Sequence, residues 1–277
     1  MALPAGAREA RPVGGGDLNE AYRVVLADGS EAFVKTRAEA ASGEYAAEAA
    51  GLRWLAEPGA LRTPRVLDVA DDYLALEWIE PGRLDASGEE DLGRGLAITH
   101  AAGAPCFGEA EPSRAAGFGA LRLSNEPTED WPSFYAKRRL APLARMAGER
   151  GLFTSNAVGA VERVCDRLPE LVGPREPPAR LHGDLWAGNV LAGADGRPWL
   201  IDPAAYGGHR EVDLAMLRLF GAPSERVLDA YHEHSPLADG WRERVELYQL
   251  LPLLVHALLF GGSYVAAAER IASRYAP

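Results

Sequence analysis

Cysteine is scarce in this sequence of 277 residues, and no apolar run is long enough to cross a membrane. The two cysteines, Cys106 and Cys165, stand far apart without the spacing of metal ligands or of a redox pair, which excludes a disulfide framework and favours a reducing compartment. The most apolar run, residues 250–260, contains a proline and a histidine, and the first residues lack the pattern of a signal peptide. We therefore expect a cytoplasmic protein without membrane partners.

Net positive charge is also lacking, because 29 basic residues oppose 40 acidic ones and leave a formal charge of -11. Such a charge repels polyanions, so nucleic acid is not an expected partner. Hydrophobic residues make up 47% and charged residues 25%, which is enough apolar material for a folded core. The length predicts two compact lobes with a shared cleft. We expect a monomer.

The first 80 residues predict a small antiparallel sheet with one helix. The predicted elements are strands at 22–26, 31–35, 65–69 and 73–79 and a helix at 42–57. Asp28-Gly29 between the first two strands is a strong hairpin signal. Pro58-Gly59 ends the helix.

From residue 81 onward the composition favours helices. The predicted elements are helices at about 87–102, 132–149 and 155–168, strands near 189–192 and 198–201, and a helical remainder from 211 with breaks at Pro223, Pro236 and Gly261. Ser87 and Glu90 have the spacing of a capping box for the first helix. Residues 103–130, rich in glycine, proline and serine, predict a long loop. The expected division is an N-terminal lobe, 1–80, and a C-terminal lobe, 81–277.

The segment from His182 to Asn189 carries the strongest chemical signal. It places Asp184 in a loop and Asn189 five residues later at the start of a strand, and Asp202 ends the next strand. Three oxygen-bearing side chains would then meet at one hairpin mouth. This suits phosphoryl transfer, in which one carboxylate acts on a hydroxyl while an amide and a second carboxylate hold Mg²⁺ against nucleotide phosphates. Each residue alone is typical of a turn, but their joint spacing favours the functional interpretation.

This motif resembles the catalytic loop of the protein-kinase fold, with Gly183 in place of the usual arginine, and looks like the aminoglycoside-phosphotransferase branch of small-molecule kinases. The resemblance implies an α+β, two-lobed protein-kinase-like fold, with a small antiparallel-sheet N-lobe and a mainly helical C-lobe, and it implies ATP and Mg²⁺ as cofactors. A kinase needs a strand lysine at the α- and β-phosphates, and Lys35 supplies it in a chain with only two lysines. We favour Glu48 over Glu44 as its helical partner, because Glu48 lies one turn before the apolar helix face.

Two more segments are expected to contact the nucleotide. Gly14, Gly15 and Gly16 would let backbone N–H groups approach phosphate oxygens, although glycines near a terminus are more often a flexible leader. No strand is predicted before them and no Gly-Lys-Ser/Thr occurs, which excludes dinucleotide-binding and Walker-type folds. The expected hinge, whose backbone would pair with adenine, is Glu77, Trp78 and Ile79.

Longer motifs make the resemblance more specific. Residues 182–189 (H-G-D-L-W-A-G-N), 201–204 (I-D-P-A) and 219–221 (L-F-G) look like the fructosamine kinase, or ketosamine 3-kinase, family, and matching residues extend over nearly the whole chain. Ala205 departs from the family, where an aromatic residue is usual. The resemblance implies ATP-dependent phosphorylation of a fructosamine- or ribulosamine-type ketosamine at the sugar 3-hydroxyl. The product is unstable and sheds the sugar, so the implied role is deglycation.

Groups around the Asp184 carboxylate should determine which acceptor is used. The expected substrate residues are Trp186, Asn125, Trp131, Tyr248 and His256. Tyr248 and His256 lie on a predicted helix, and the sequence leaves open whether they face the core or the cleft. Trp186 would pack on the sugar or its ammonium, and plain packing is the alternative. His182 is expected to fix the loop structurally. The resemblance to kinase-like folds implies that Asp213 accepts hydrogen bonds from the loop backbone near His182 and Gly183, whereas a cap of its own helix is the alternative.

The remaining histidines and two competing functions complete the expectations. His209, His232 and His234 are interpreted as surface residues. A related small-molecule kinase that phosphorylates an aminoglycoside or a choline-like amino alcohol would share every catalytic residue. A nucleotide-binding pseudoenzyme is disfavoured because the catalytic set is complete. The expected partner is a free or protein-bound ketosamine.

Overall fold

The computed structural model describes residues 3–14, 19–37, 40–109, 115–118, 121–221 and 224–277, with 115–118 as backbone only. Its N-terminal region is a five-stranded sheet in the order β1-β2-β3-β5-β4, with every neighbouring pair antiparallel. The elements are β1 Ala7–Pro12, β2 Glu20–Leu26, β3 Glu31–Thr36, α1 Glu44–Ala56, β4 Val66–Val69 and β5 Tyr73–Glu77. The sheet and helix predicted for the first 80 residues are confirmed.

Successive side chains of β3 point to opposite faces of the sheet. Ala32 and Val34 are fully buried on one face, in a cluster with Val24. Phe33 packs on the opposite face, in the cluster that contains α1. Lys35 has the same parity as Phe33, so its side chain extends towards α1.

Helices dominate the rest of the chain. They are α2 Ala86–Ala101, α3 Trp131–Phe134, α4 Ala141–Glu149, α5 Ser155–Leu171, α6 Glu211–Leu217, α7 Glu225–His234, α8 Trp241–Phe260 and α9 Ser263–Tyr275. A π-helical segment, Tyr135–Leu140, joins α3 to α4. Three short strand pairs complete the fold: β6 Ala115–Phe118 with β7 Leu121–Ser124, β8 Ala179–Leu181 with β11 Tyr206–Gly208, and β9 Val190–Ala192 with β10 Pro198–Leu200. Within the described ranges, every helix is too short or too polar to cross a bilayer.

The largest core cluster joins α3, α4, α5, α8 and α9. Arg139 is fully buried in this region, with its guanidinium carbon 4.5 Å from the Phe134 ring centroid and 4.1 Å from that of Tyr206. The aromatic faces stabilise the buried cation. Its Nη2 donates to Oδ1 of Asn125 at 2.6 Å.

Backbone hydrogen bonds tie the end of the sheet to the β9–β10 hairpin. The Gly82 N–H donates to the Ala192 carbonyl at 2.8 Å, and the Ala194 N–H donates to the Glu80 carbonyl at 2.8 Å. These bonds hold the hairpin that lies between Asn189 and Asp202 directly beside the segment that follows β5. The division at residue 80 remains a prediction.

Three local predictions were wrong. The predicted capping box does not form, because Asp85 caps α2 and accepts from the Gly88 N–H at 2.8 Å, so Ser87 lies inside the first turn. Residues 103–130 are not wholly a loop, since they contain β6 and β7. The prediction that no strand precedes Gly14 was wrong, because β1 ends at Pro12; it was missed because half of its six residues are charged. Pro236 and Gly261 do separate helices, whereas Pro223 lies outside the described residues.

Candidate active site

Asp213, a fully buried residue in the first turn of α6, anchors the loop after β8. Its Oδ2 accepts from the His182 N–H at 2.7 Å, and its Oδ1 accepts from the Gly183 N–H at 2.9 Å. The predicted contact is therefore present, and the alternative of a plain helix cap is wrong. A buried carboxylate with two backbone donors is satisfied and rigid, so it fixes the loop that carries Asp184.

His182 connects the two loops of the site. Its Nε2 donates to the Ile201 carbonyl at 2.9 Å, and its Nδ1 accepts from the Asp184 N–H at 3.3 Å. Burial lowers the pKa of His182, although Asp213 and the Ile201 carbonyl oppose the shift. A neutral imidazole with both nitrogens engaged has no free position for a reacting proton. This geometry supports the structural role predicted for His182.

Gly183 occupies a position that other residues fit poorly. Its φ is 82°, in the left-handed region, and a Cβ placed there would lie 2.2 Å from the Ala204 carbonyl oxygen. The close approach lets the Ala204 N–H donate to the His182 carbonyl at 3.0 Å. The glycine that replaces the usual kinase arginine therefore has a steric reason in this chain.

Asp184 and Asn189 are brought together by a tight turn, a 3₁₀ helix over Ala187–Asn189. The Asn189 Nδ2 donates to the Asp184 carbonyl at 2.7 Å and to Oδ2 of the Asp184 side chain at 3.2 Å. Burial and the negative charge of Asp202 raise the pKa of Asp184 to about 7, against the Asn189 hydrogen bond. A carboxylate with a raised pKa is a better proton acceptor near neutral pH than an ordinary aspartate.

Lys35 lies between two carboxylates that come from opposite sides of the cleft. Its Nζ is 2.5 Å from Oε2 of Glu48 on α1 and 2.8 Å from Oδ1 of Asp202. Burial alone would lower the pKa of Lys35, but Asp202 and Glu48 outweigh it and raise the pKa. The ion pair predicted with Glu48 is present, whereas Glu44 pairs with Arg37 and Arg122.

Asp202 adopts an uncommon backbone conformation. Its φ is 53°, and among the described residues it is the only non-glycine with a left-handed φ. Its side chain is 45% exposed. Burial opposes ionisation, but the Lys35 ammonium prevails and lowers the pKa of Asp202. Backbone strain of this kind concentrates at functional sites and persists only where surrounding contacts enforce it.

The oxygen atoms of this site fit Mg²⁺. Asn189 donates through Nδ2, which leaves Oδ1 as a ligand, and the ionised carboxylate of Asp202 is half-exposed. An amide oxygen and a carboxylate, completed by phosphate oxygens and water, make up a typical magnesium shell. Within the described ranges, no three His, Cys, Asp or Glu side chains form a metal site of their own.

Comparison with known proteins decides the family. A family model described as fructosamine kinase matches residues 3–276. A probable ketoamine kinase of Enterococcus faecium is 35% identical over 269 residues, which cover 95% of this chain and 94% of the relative. A probable ketoamine kinase of Thermus thermophilus is 37% identical over 265 residues, with 95% and 93% covered. The chain belongs to the fructosamine kinase family.

Solved structures agree with this assignment. A crystal structure of a Thermobifida fusca protein assigned as a fructosamine-3-kinase has a TM-score of 0.90 and 45% identity, covering 98% of this chain and 93% of the other. The choline kinase LicA of Streptococcus pneumoniae has a TM-score of 0.61 at 17% identity, with 98% and 94% covered, and bears on the fold alone. The α+β, protein-kinase-like fold is confirmed, and this fructosamine kinase family member is a small-molecule phosphotransferase.

The nucleotide segments of this fructosamine kinase family member are only partly described. Gly14 is exposed, with open space where a Cβ would stand, and Gly15 and Gly16 lie outside the described residues. At the expected hinge, β5 ends at Glu77, and the segment that follows it is held to the β9–β10 hairpin through Glu80. The adenine contact of Glu77, Trp78 and Ile79 remains a prediction.

The five expected substrate residues divide into two groups. Trp186 is 39% exposed two residues after Asp184, and its ring packs over Gly188 in the same turn. His256 lies on α8. The ring of Phe220 lies between the two residues, with its centroid 6.0 Å from that of Trp186 and 5.4 Å from that of His256. These two residues are therefore on one surface near the catalytic loop.

The other three are core residues, and their assignment to the sugar site is corrected. Asn125 and Tyr248 have no exposed surface, and Trp131 is 3% exposed. The Trp131 Nε1 donates to the Tyr248 hydroxyl at 3.2 Å, and that hydroxyl donates to the Val172 carbonyl at 3.0 Å. Asn125 accepts from the buried Arg139. Side chains with their polar atoms bonded inside the core have no free face for an acceptor.

One supporting residue was missed. His100 on α2 donates through Nε2 to Oδ2 of Asp213 at 3.3 Å, and its Nδ1 accepts from the Tyr231 hydroxyl at 2.8 Å. His100 is 3% exposed. This network extends the anchor of the catalytic loop into α2 and α7. No local pattern indicates it, because His100 and Asp213 are 113 residues apart.

Proposed function

We propose that this protein transfers the γ-phosphoryl group of ATP to the 3-hydroxyl of a ketosamine, of the fructosamine or ribulosamine type, and thereby initiates deglycation. The carrying observation is that Asp184, Asn189, Asp202 and Lys35 converge at one hairpin mouth in a chain of the fructosamine kinase family.

Asp184 acts as the base in this proposal. Its carboxylate accepts the proton of the attacking hydroxyl, and Asn189 holds one carboxylate oxygen at 3.2 Å, which orients the other towards the acceptor. The raised pKa of Asp184, about 7, matches the carboxylate to this task near neutral pH. Phosphoryl transfer needs little more from the protein than orientation and charge stabilisation.

Lys35, Asn189 and Asp202 serve the nucleotide. The Lys35 ammonium would bind the α- and β-phosphates while Glu48 keeps it in place. Asn189 and Asp202 would hold Mg²⁺, which supplies charge neutralisation at the phosphates when bound. The glycine segment 14–16 would cover the phosphates, and the backbone of 77–79 would pair with adenine.

Trp186 and His256 form the proposed acceptor side of the site. A ketosamine carries a cationic secondary amine, and an aromatic face such as Trp186 attracts a cation by about 0.5–2 kcal/mol. His256 donates from Nδ1 to the Pro252 carbonyl at 2.7 Å, which leaves Nε2 as an acceptor. Burial lowers the pKa of His256, so the ring stays neutral and does not repel the ammonium.

An acceptor panel tests the proposal. ADP release is measured with Mg-ATP and fructosyl-lysine, ribulosyl-lysine, an aminoglycoside or choline, and Asp184→Asn serves as the inactive control. We expect Mg²⁺-dependent turnover of the ketosamines, phosphorus NMR signals of a 3-phosphate, and appearance of the free amine. Turnover of choline or the aminoglycoside alone would contradict the proposal and favour the related small-molecule kinase. Nucleotide binding without any transfer would favour a pseudoenzyme.

A further inference from the structure

A continuous row of aromatic rings extends from the catalytic loop across the C-terminal helices. We call Trp186, Phe220, His256, Phe260 and Tyr264 the aromatic wall. The centroid distances are 6.0 Å for Trp186–Phe220, 5.4 Å for Phe220–His256, 5.6 Å for His256–Phe260 and 5.0 Å for His256–Tyr264. Four separate parts of the chain supply these rings: the catalytic loop, the segment after α6, the end of α8 and the start of α9.

The wall is exposed although it is apolar. In the described part of the chain, the exposed large hydrophobic residues are Leu67, Ile98, Trp186, Phe220 and Phe260. Three of these five belong to the wall, with exposures of 39%, 42% and 54% for Trp186, Phe220 and Phe260. Single exposed apolar residues are ordinary, but contiguous ones mark a binding surface.

The wall begins beside the proposed base. The Trp186 N–H donates to the Asp184 carbonyl at 3.1 Å, and the Trp186 carbonyl accepts from the Asn189 N–H at 2.9 Å. The Trp186 ring lies against Gly188, where a Cβ would come within 2.2 Å of it. This turn fixes the ring of Trp186 two residues along the chain from Asp184, whose carboxylate is the proposed proton acceptor. The other rings then lead outward to α9.

The chemistry of the wall indicates which part of an acceptor it meets. When the 3-hydroxyl of the sugar lies at the Asp184 carboxylate, both the C4–C6 end of the sugar and the substituent on the ketosamine nitrogen extend away from the base. The C4–C6 end carries hydroxyls, so the nitrogen substituent is the part that can be apolar. The wall is made of four carbon-rich rings and the neutral His256, whose Nδ1 is bonded to Pro252. Rings of this kind bind alkyl and aryl groups by removing apolar surface from water.

We propose that the aromatic wall is the subsite for the amine-derived substituent of the ketosamine, and that it selects alkyl or aryl chains of about four or more carbons next to the nitrogen. The tetramethylene chain of a glycated lysine has this character, whereas a glycated glycine places a carboxylate after one carbon. The inference rests on the proposed function, because it needs a ketosamine at Asp184.

The test uses fructose adducts that differ only in the amine: glycine, 6-aminohexanoate and benzylamine. We expect kcat/KM for the aminohexanoate and benzylamine adducts to exceed that of the glycine adduct at least tenfold in the full-length protein. In Phe260→Ser and Tyr264→Ser this ratio should fall at least threefold, through KM of the chain-bearing adducts. Phe260→Leu keeps an apolar side chain and should retain most of the ratio.

The matched control is Ile98→Ser, which removes an exposed apolar residue of similar accessibility, 38%, from α2. It should leave the ratio unchanged, and circular dichroism should show that all variants are folded. Equal kcat/KM for the three adducts, or a wall variant that lowers all three equally, would overturn the subsite while leaving ketosamine phosphorylation intact. No turnover of any adduct would overturn the proposed function and the subsite together.

Discussion

Asp184 is the residue on which the chemistry depends most directly. Replacement by asparagine keeps the shape of the side chain but removes the proton acceptor, so Asp184→Asn should lower kcat about 10²–10⁴-fold. Binding of Mg-ATP, measured by calorimetry, should remain close to that of the wild type, because Asp184 lies outside the proposed nucleotide contacts. A variant that kept most of its turnover would show that another group acts as the base.

Gly183 offers a prediction with a clean steric control. Gly183→Ala requires a left-handed φ of 82° and places Cβ 2.2 Å from the Ala204 carbonyl, so both strain and clash oppose it. Gly151 has a φ of 68° and open space around its Cβ position. Gly151→Ala should therefore cost only the conformational penalty of about 1–2 kcal/mol. Urea denaturation should show a larger loss for Gly183→Ala, accompanied by at least a tenfold loss of kcat; equal losses would exclude the clash.

Among single residues, contacts were predicted correctly more often than burial. The contacts of Lys35 with Glu48 and of Asp213 with the loop were anticipated, because the resemblance to the kinase fold implies both of them. Trp131 and Tyr248 were placed wrongly, because an aromatic residue has the same appearance in a sequence whether it lines a cleft or fills a core. His209 was interpreted as a surface residue and is buried at 2% exposure.

At the scale of elements, the start of α2 gives a second prediction with a matched control. Asp85 is the N-cap and accepts from the Gly88 N–H, whereas the Ser87 hydroxyl only accepts from Arg197 at 3.4 Å. Asp85→Ala should lower the free energy of unfolding by about 1 kcal/mol. Ser87→Ala should change it by less than about 0.5 kcal/mol. Urea denaturation measures the free energy of unfolding of both variants. A larger loss for Ser87→Ala than for Asp85→Ala would show that Ser87 is the cap.

Elements with a strong periodic pattern were the predictable ones. The predicted helix at 42–57 is observed as Glu44–Ala56, and the hairpin at Asp28-Gly29 is observed between β2 and β3. β1 gives no such pattern, since it is an edge strand formed by pairing with β2 alone. No sequence pattern predicts the π-helical segment Tyr135–Leu140 either, because its hydrogen-bond register depends on tertiary packing.

For the whole molecule, the two-lobed fold was predictable because the sheet signals and the helical signals occupy separate parts of the sequence. The contact between the sheet and the catalytic segment through Lys35 and Asp202, which are 167 residues apart, was predictable because a kinase needs both groups at the nucleotide phosphates. The long-range packing inside the C-terminal region was not predictable from the sequence, since it depends on which faces of α3, α5 and α8 meet. The boundary at residue 80 stays a prediction.

Stability of the molecule should depend on pH through His209. Burial is the main cause that lowers the pKa of His209 to about 4, and the nearby Arg210 and Arg244 act in the same direction. Between pH 4 and about 6.5, the unfolded chain therefore binds a proton that the folded chain excludes. The contribution of His209 to stability should therefore be fully present above about pH 6.5 and should fall, by up to about 3 kcal/mol, as the pH drops towards 4. Asp184, whose pKa is raised to about 7, contributes in the opposite direction over the same range.

A histidine substitution isolates this effect. His209→Asn supplies an oxygen in place of the Nδ1 that accepts from the Glu211 N–H, but it cannot titrate. The change in the free energy of unfolding from pH 4 to pH 7 should be lower in this variant than in the wild type, by up to about 3 kcal/mol. His234→Asn, at the exposed end of α7, should keep the wild-type slope. A slope unchanged in both variants would place the pH dependence elsewhere.

The left-handed backbone at Asp202 places the demands of stability and of catalysis on one position in conflict. Glycine and asparagine adopt that conformation more readily, and the relief amounts to about 1 kcal/mol. A library randomised at position 202 and sorted for folding alone should therefore be enriched in glycine and asparagine. The same library sorted for phosphoryl transfer should return aspartate. Two screens of one position would then disagree, and the aspartate found there would record selection for catalysis over selection for stability.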